Sequence, residues 1–115
     1  MKKENIILIK SFDFALSIIE LYQELKNQKE FVISKQLLRS GTSIGANVEE
    51  STAAISKKEF VAKISIASKE ARETRYWLRL IEKSDLVNIN VTKYIHDIED
   101  IVNILTAIVR TSQSR

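Results

Sequence analysis

Apolar residues recur at spacings of three and four along most of the chain, and valine and isoleucine form no alternating run, so the pattern predicts helices and no strand. The first helix is expected over residues 4–27. Its apolar positions are Ile7, Leu8, Phe14, Ala15, Ile18, Leu21, Tyr22 and Leu25, on one face from Phe14 onward. Asn27-Gln28-Lys29-Glu30 interrupts that face and reads as a short connection. The second helix is expected over residues 31–54. At about 100° per residue, Ile33, Leu37, Ile44, Val48 and Ile55 share one stripe. Gly41, Gly45 and Thr52 lie beside that stripe, and Arg39, Ser43, Asn47 and Glu50 line the far side.

Ser56-Lys57-Lys58-Glu59 has the spacing of a capping box, in which serine and glutamate satisfy the free N–H groups of a helix start. It opens a third helix over 57–83, with Phe60, Ile64, Ala67, Ala71, Leu78 and Ile81 as its core stripe. Ala62, Ile66, Trp77 and Leu80, interleaved with Glu70 and Glu73, make a second partly apolar face. Arg72, Arg75, Arg79 and Lys83 make a third, basic face. A helix apolar on two sides needs two sets of neighbours. The second set is expected to be another subunit. Residues 84–90 form a connection, Asn90 is a candidate N-cap, and a fourth helix is expected over 91–111. Tyr94, Ile95, Ile98, Ile101, Val102, Leu105, Ile108 and Val109 give it a wide apolar stripe, and Thr111 to Arg115 are expected to fray. The fold class that follows is all-α: one domain, residues 1–115, as an antiparallel up-down-up-down four-helix bundle.

Gly41 and Gly45 are the only glycines of the chain. Each costs a helix about 1 kcal/mol relative to alanine, so a compensating reason is required. A loop, the turn of a helix-turn-helix and a helix approached closely by a neighbour are the three candidates. The apolar stripe keeps its phase across both glycines, which a loop would destroy. The likeliest break falls at Ile55-Ser56, and the helix after it is too long for a recognition helix. The close approach is therefore expected, within one bundle or between subunits. The Arg39, Ser43, Asn47 and Glu50 stripe is either a solvated face or one side of a buried or interfacial network with Lys63, Glu70 and Glu73.

Charge and composition narrow the partners. The net charge is +3 and there is no cysteine, so neither a disulfide framework nor a thiolate metal site is available. No apolar run approaches the ~20 residues of a membrane span, and the N-terminal stretch has no signal-peptide pattern. The expected compartment is the cytoplasm. Arg72, Arg75, Arg79 and Lys83 could track phosphates, or form a solvated face offset by Glu73, Glu82 and Asp85. In a ring the same stripe repeats and its field adds.

Catalytic patterns are weak. His96 falls on the polar side of the fourth helix. Gly41-Thr42-Ser43-Ile44-Gly45 lacks the lysine that ends a Walker loop, and Glu70-x-x-Glu73 lacks the histidine of a bundle metal site. The reading is a non-enzymatic protein with no cofactor and no metal.

Gln36-Leu37-Leu38-Arg39-Ser40-Gly41-Thr42-Ser43-Ile44-Gly45-Ala46-Asn47-Val48-Glu49-Glu50 resembles the signature of the bacterial 23S rRNA intervening-sequence proteins. Ser56 to Phe60 and Lys63 to Leu78 look like that family's second signature. The resemblance implies a four-helix bundle assembled as a ring, typically a homopentamer. The family's name reflects genes found inside insertions in 23S rRNA genes. Relatives among the accessory proteins of diversity-generating retroelements imply association with a reverse transcriptase and binding of nucleic acid. Arg72, Arg75, Arg79 and Lys83 are then the expected phosphate contacts. Arg39, Gly41, Ser43, Gly45, Asn47, Glu50, Lys63, Glu70, Glu73 and Trp77 are expected to serve packing and assembly. The leading expectation is an oligomer that binds RNA. A scaffold docking a protein such as a reverse transcriptase is the alternative.

Overall fold

The computed structural model describes residues 2–114. Its regular structure is helical: α1 (Lys3–Asn27), α2 (Ile33–Ser51), α3 (Lys57–Lys83) and α4 (Thr92–Gln113), with no strand among the described residues. At 1.5 Å per residue α3 is about 40 Å long, close to the 46 Å long axis of the molecule. Each helix packs on two others, in the cyclic order α1, α2, α3, α4, and the diagonal pairs α1/α3 and α2/α4 bring no Cα atoms within 8 Å. Contact pairs rise along one helix as they fall along the next. Gly41 meets Ile18 and Gly45 meets Ser11 between α2 and α1. Arg39 meets Glu70 and Glu50 meets Lys63 between α2 and α3.

The inward faces agree with the predicted stripes. Ile7, Phe14, Ile18, Leu21 and Leu25 of α1 are buried against Leu37, Ile44 and Val48 of α2 and the core positions of α3 and α4. Burying a leucine or isoleucine side chain contributes about 1.5–3 kcal/mol, so this face is what holds the helices together. Tyr94 shares the core; burial pushes its phenol above the usual tyrosine range, and the carboxylates of Glu24, Glu20 and Asp97 add to that.

Three expectations need correction. Ile55 is not a core residue: α2 ends at Ser51 and Ile55 is 93% exposed. The N–H groups of Thr52, Ala53 and Ala54 bond to carbonyls three residues back, so the helix tightens and unwinds before reaching it. The start of α2 is also later than expected, at Ile33, because Glu30 caps it from outside the helix. At the other end of the chain α4 extends to Gln113, past the expected end at residue 111; Arg115 lies outside the described residues.

Both glycines sit inside α2 with ordinary helical backbone. A Cβ at Gly41 would lie 2.9 Å from Cγ2 of Ile18, and one at Gly45 would lie 3.3 Å from the carbonyl oxygen of Ser11. The neighbour that comes close is α1 of the same chain. Its backbone reaches α2 at Gly45, with the buried Ser11 at the contact.

Candidate functional site

The far side of α2 faces α3. The Arg39 guanidinium bridges two carboxylates of α3, with Nη1 3.3 Å from Glu70 Oε2 and Nη2 against Glu73 Oε2. The Trp77 indole N–H donates to the same Glu73 oxygen at 3.0 Å. About two to three helical turns along the seam, Lys63 Nζ donates to Glu50 Oε1 at 2.6 Å. Ser43 and Asn47 do not join this network. The Asn47 amide donates to the Ser43 carbonyl at 2.9 Å and to its hydroxyl at 3.2 Å, within α2. The seam is a surface feature: half of the Arg39 side chain remains exposed, against 15% of Glu70. An ion pair that open contributes about 0–1 kcal/mol, so its value within one chain lies in register.

Beneath this seam is a contact that periodicity conceals. Ser40 and Thr74 are both fully buried, and their hydroxyl oxygens lie 2.8 Å apart. Thr74 Oγ1 is also 2.8 Å from the Glu70 carbonyl oxygen, which can only accept. Both contacts are satisfied when Ser40 donates to Thr74 and Thr74 donates to Glu70. No stripe pattern marks these residues, because serine and threonine count as polar in a helical wheel while filling core positions.

The helix starts carry a second missed group. Glu30 Oε1 accepts from the Ser34 N–H at 2.6 Å, and Oε2 accepts from Val32 and Ile33 at 3.2 Å each. The Ser34 hydroxyl returns a bond to the Glu30 carbonyl at 2.8 Å. At α3 the expected capping serine is in place, with the Glu59 N–H donating to Ser56 Oγ at 3.0 Å. At α4 the N-cap position is Val91 and not the expected Asn90, which stands one residue further out with its Oδ1 accepting from the Thr92 N–H at 3.0 Å. The Gln28 carboxamide ties two connections together: it accepts from the Asn88 N–H at 2.7 Å and donates to the Asn88 carbonyl at 3.2 Å.

Of the predicted basic stripe on α3, Arg72 and Arg75 reach α4, and the four residues are not equivalent. Arg75 is half-buried, with Nη1 3.5 Å from Glu99 of α4, so its charge is largely spent inside the fold. Arg72 is exposed and donates to the Thr106 hydroxyl at 3.2 Å. Arg79 and Lys83 are exposed; Lys83 has only a loose pairing, 3.8 Å, with the adjacent Glu82. No group of three or more histidine or acidic side chains is placed to hold a metal ion among the described residues. His96 is exposed. No helix among them is long and apolar enough to cross a membrane.

Two apolar stripes point away from the core. On α1, Ile9, Phe12, Leu16 and Ile19 are exposed, Phe12 at 58% and Leu16 at 50%. Their spacing puts them opposite Phe14 and Ile18 on the helix. Beside them the surface dips between Ala15 of α1 and Thr42, Gly45 and Ala46 of α2, in a hollow of about 300 Å³. On α3, Ala62, Ile66, Tyr76 and Leu80 are exposed along the side away from the core.

Such an arrangement defines a small four-helix protein with ion pairs across its α2–α3 and α3–α4 seams and with open outward apolar faces. The chain belongs to the 23S rRNA-intervening sequence protein family, whose profile matches residues 3–107. It is also similar to a crystal structure of a protein of unknown function from the S23 ribosomal protein family of Bacteroides thetaiotaomicron VPI-5482. The two are 44% identical, with a TM-score of 0.87, over 95% of this chain and 99% of that one. No curated protein matches.

Proposed function

We propose that this chain is a non-enzymatic, antiparallel up-down-up-down bundle that assembles into a ring, as a homopentamer, and binds RNA through basic residues repeated around it. The opposed numbering of the contact pairs supports the antiparallel topology. The observation that carries the reading is the pair of outward apolar stripes on α1 and α3, helices placed diagonally in the fold. Two different faces on opposite sides favour head-to-tail contact, which closes into a ring when the rotation permits, over a two-fold dimer. Around such a ring Arg72, Arg79 and Lys83 recur once per copy beside each contact, and their fields add. Arg75 is a strut to Glu99 in this reading rather than a phosphate contact.

Light scattering tests the assembly: the mass is expected to be several times the 13.2 kDa of one chain. Replacing Phe12 and Leu16 by glutamate is expected to return it to one chain with helicity intact, and a monomeric wild type at micromolar concentration refutes the ring. Binding of a structured RNA is expected at low salt and is expected to weaken steeply as salt rises. Absence of binding at low salt refutes the nucleic-acid reading. The α1 stripe also favours a second reading, a scaffold docking a protein such as a reverse transcriptase. It predicts a wild type that binds no RNA and keeps its apolar stripe uncovered until that protein is added.

A further inference from the structure

Between α3 and α4 lies an open groove of about 290 Å³, lined by Ser65, Ser68 and Arg72 from α3 and by Thr106 and Arg110 from α4. We infer that this groove binds the phosphodiester backbone of a nucleic acid, an inference that rests on the RNA-binding reading and assigns it a place. Arg110 is a fifth basic candidate, outside the α3 stripe, brought to Arg72 only by the packing of the two helices.

Three observations converge on an anion. The first is charge: the groove is lined by two guanidinium groups and by no carboxylate. The groove between α1 and α4 is a useful contrast. It is similar in size, about 280 Å³, but its Lys10 and Lys93 are offset by Asp13 and Asp97. The second is donor supply. Arg72 spends one N–H on Thr106, which ties the guanidinium to the α4 wall of the groove and leaves its other donors free among the described residues. Arg110 is exposed and has no ion-pair or hydrogen-bond partner for its side chain among the described residues. The third is the state of the serines. Ser17, Thr42, Ser51 and Thr74 fold their hydroxyls back onto carbonyls of their own helix. Ser65 and Ser68 do not, so their hydroxyls remain available to a ligand, among the described residues. One feature opposes: Arg110 lies in the last turn of α4, whose carbonyl end carries a partial negative charge. That amounts to roughly half a charge, against two whole charges of the arginines.

Phosphate oxygens match this set better than carboxylates do. Arginine meets a phosphate with parallel N–H bonds, and hydroxyls fill the remaining acceptors. The groove is open to solvent and not enclosed, as a backbone lying across it requires. The two arginines approach from different helices, so a strand seated there would also hold α3 and α4 together.

The test is fluorescence anisotropy with a labelled RNA hairpin across a salt series. The wild type is compared with Arg72→Gln/Arg110→Gln and with Lys29→Asn/Lys35→Gln, which removes the same charge from the α1–α2 connection and α2. The groove variant is expected to weaken binding at low salt by about tenfold or more, and to lower the salt slope by about 1.4–1.8, the value of two lost phosphate contacts. The charge-matched variant is expected to change binding by less than about threefold. Ser65→Asp, an exposed position where folding is not at stake, is expected to weaken binding by placing a carboxylate in the groove. Thermal melting followed by circular dichroism verifies that each variant is folded. If the folded groove variant binds like wild type, or the charge-matched variant loses as much, the groove inference is wrong while RNA binding stands. If the wild type binds no RNA at low salt, the RNA-binding reading fails, and the groove inference fails with it.

Discussion

Gly41 shows what one missing side chain decides. Helix propensity alone predicts that Gly41→Ala stabilises the protein by about 1 kcal/mol. The structure predicts the opposite sign. The new Cβ would meet Ile18, a fully buried, β-branched side chain with little freedom to turn away. Overpacking of this kind costs about 1–3 kcal/mol, so a net loss of up to about 2 kcal/mol is expected by urea unfolding. Gly45→Ala is the control. Its contact is longer and on a half-buried flank, so gain and cost are expected to cancel to within about 0.5 kcal/mol. Glu30 acts at the same scale. It accepts three backbone N–H groups at the start of α2, and Glu30→Ala is expected to cost about 1–2 kcal/mol, as loss of a strong cap does. An unchanged midpoint would show that water replaces the cap without penalty.

At the scale of elements, the α2–α3 seam combines an outer layer of ion pairs with an inner layer of hydroxyls. The outer layer is half in water and contributes little to stability. The inner Ser40–Thr74 contact is dry, so an unmatched partner there is costly. Thr74→Val leaves the Ser40 hydroxyl without its acceptor and is expected to cost about 1–3 kcal/mol. Thr74→Val combined with Ser40→Ala removes both polar groups, and the double variant is expected to be more stable than Thr74→Val alone. A strictly additive cycle would mean that the hydroxyls do not act as a pair. The seam thus assigns different tasks to its layers: the hydroxyls fix the depth of packing, and Arg39, Glu70 and Glu73 fix the register.

The whole molecule presents three kinds of surface. Ion-paired polar residues close the α2–α3 edge, apolar stripes run along α1 and α3, and on the α3–α4 edge, beside the Arg75–Glu99 pair, lie Arg72 and Arg110, which have no ion-pair partner among the described residues. Four exposed apolar side chains in one stripe on α1 are more than scattered surface residues, and a contiguous patch of that kind marks a contact site in most proteins. The α2–α3 edge adjoins the α3 stripe, where the Tyr76 ring meets the Trp77 ring edge-on. If copies meet there, Arg39 and its glutamates lose water on assembly, and the same pairs carry more weight than in one chain. Arg39→Ala is therefore expected to lower the assembly's dissociation temperature while leaving the helicity of a dissociated chain nearly unchanged, as followed by light scattering against circular dichroism.

The helices themselves were legible in the residues, because a buried stripe needs apolar side chains every third or fourth position and the chain has them. Residues 57–83 coincide with α3 for that reason, aided by the local signal of Ser56 and Glu59. The continuity of α2 through Gly41 and Gly45 was legible in the phase of Ile33, Leu37, Ile44 and Val48. The stripe of Arg39, Ser43, Asn47 and Glu50 was legible, but not whether it was solvated or paired: the structure pairs Arg39 and Glu50 with α3 and turns Ser43 and Asn47 back on α2. What periodicity cannot carry is distance across helices. Only packing decided that α1 of the same chain approaches the glycines, and that Ser40 and Thr74 satisfy each other in the core. Only packing decided that Arg75 is spent on Glu99 while Arg72 meets Arg110 across an open groove. A wheel fixes the angle of each side chain about its own axis; which side chain stands opposite is set by the offset and rotation of the neighbouring helix, and those belong to the tertiary structure.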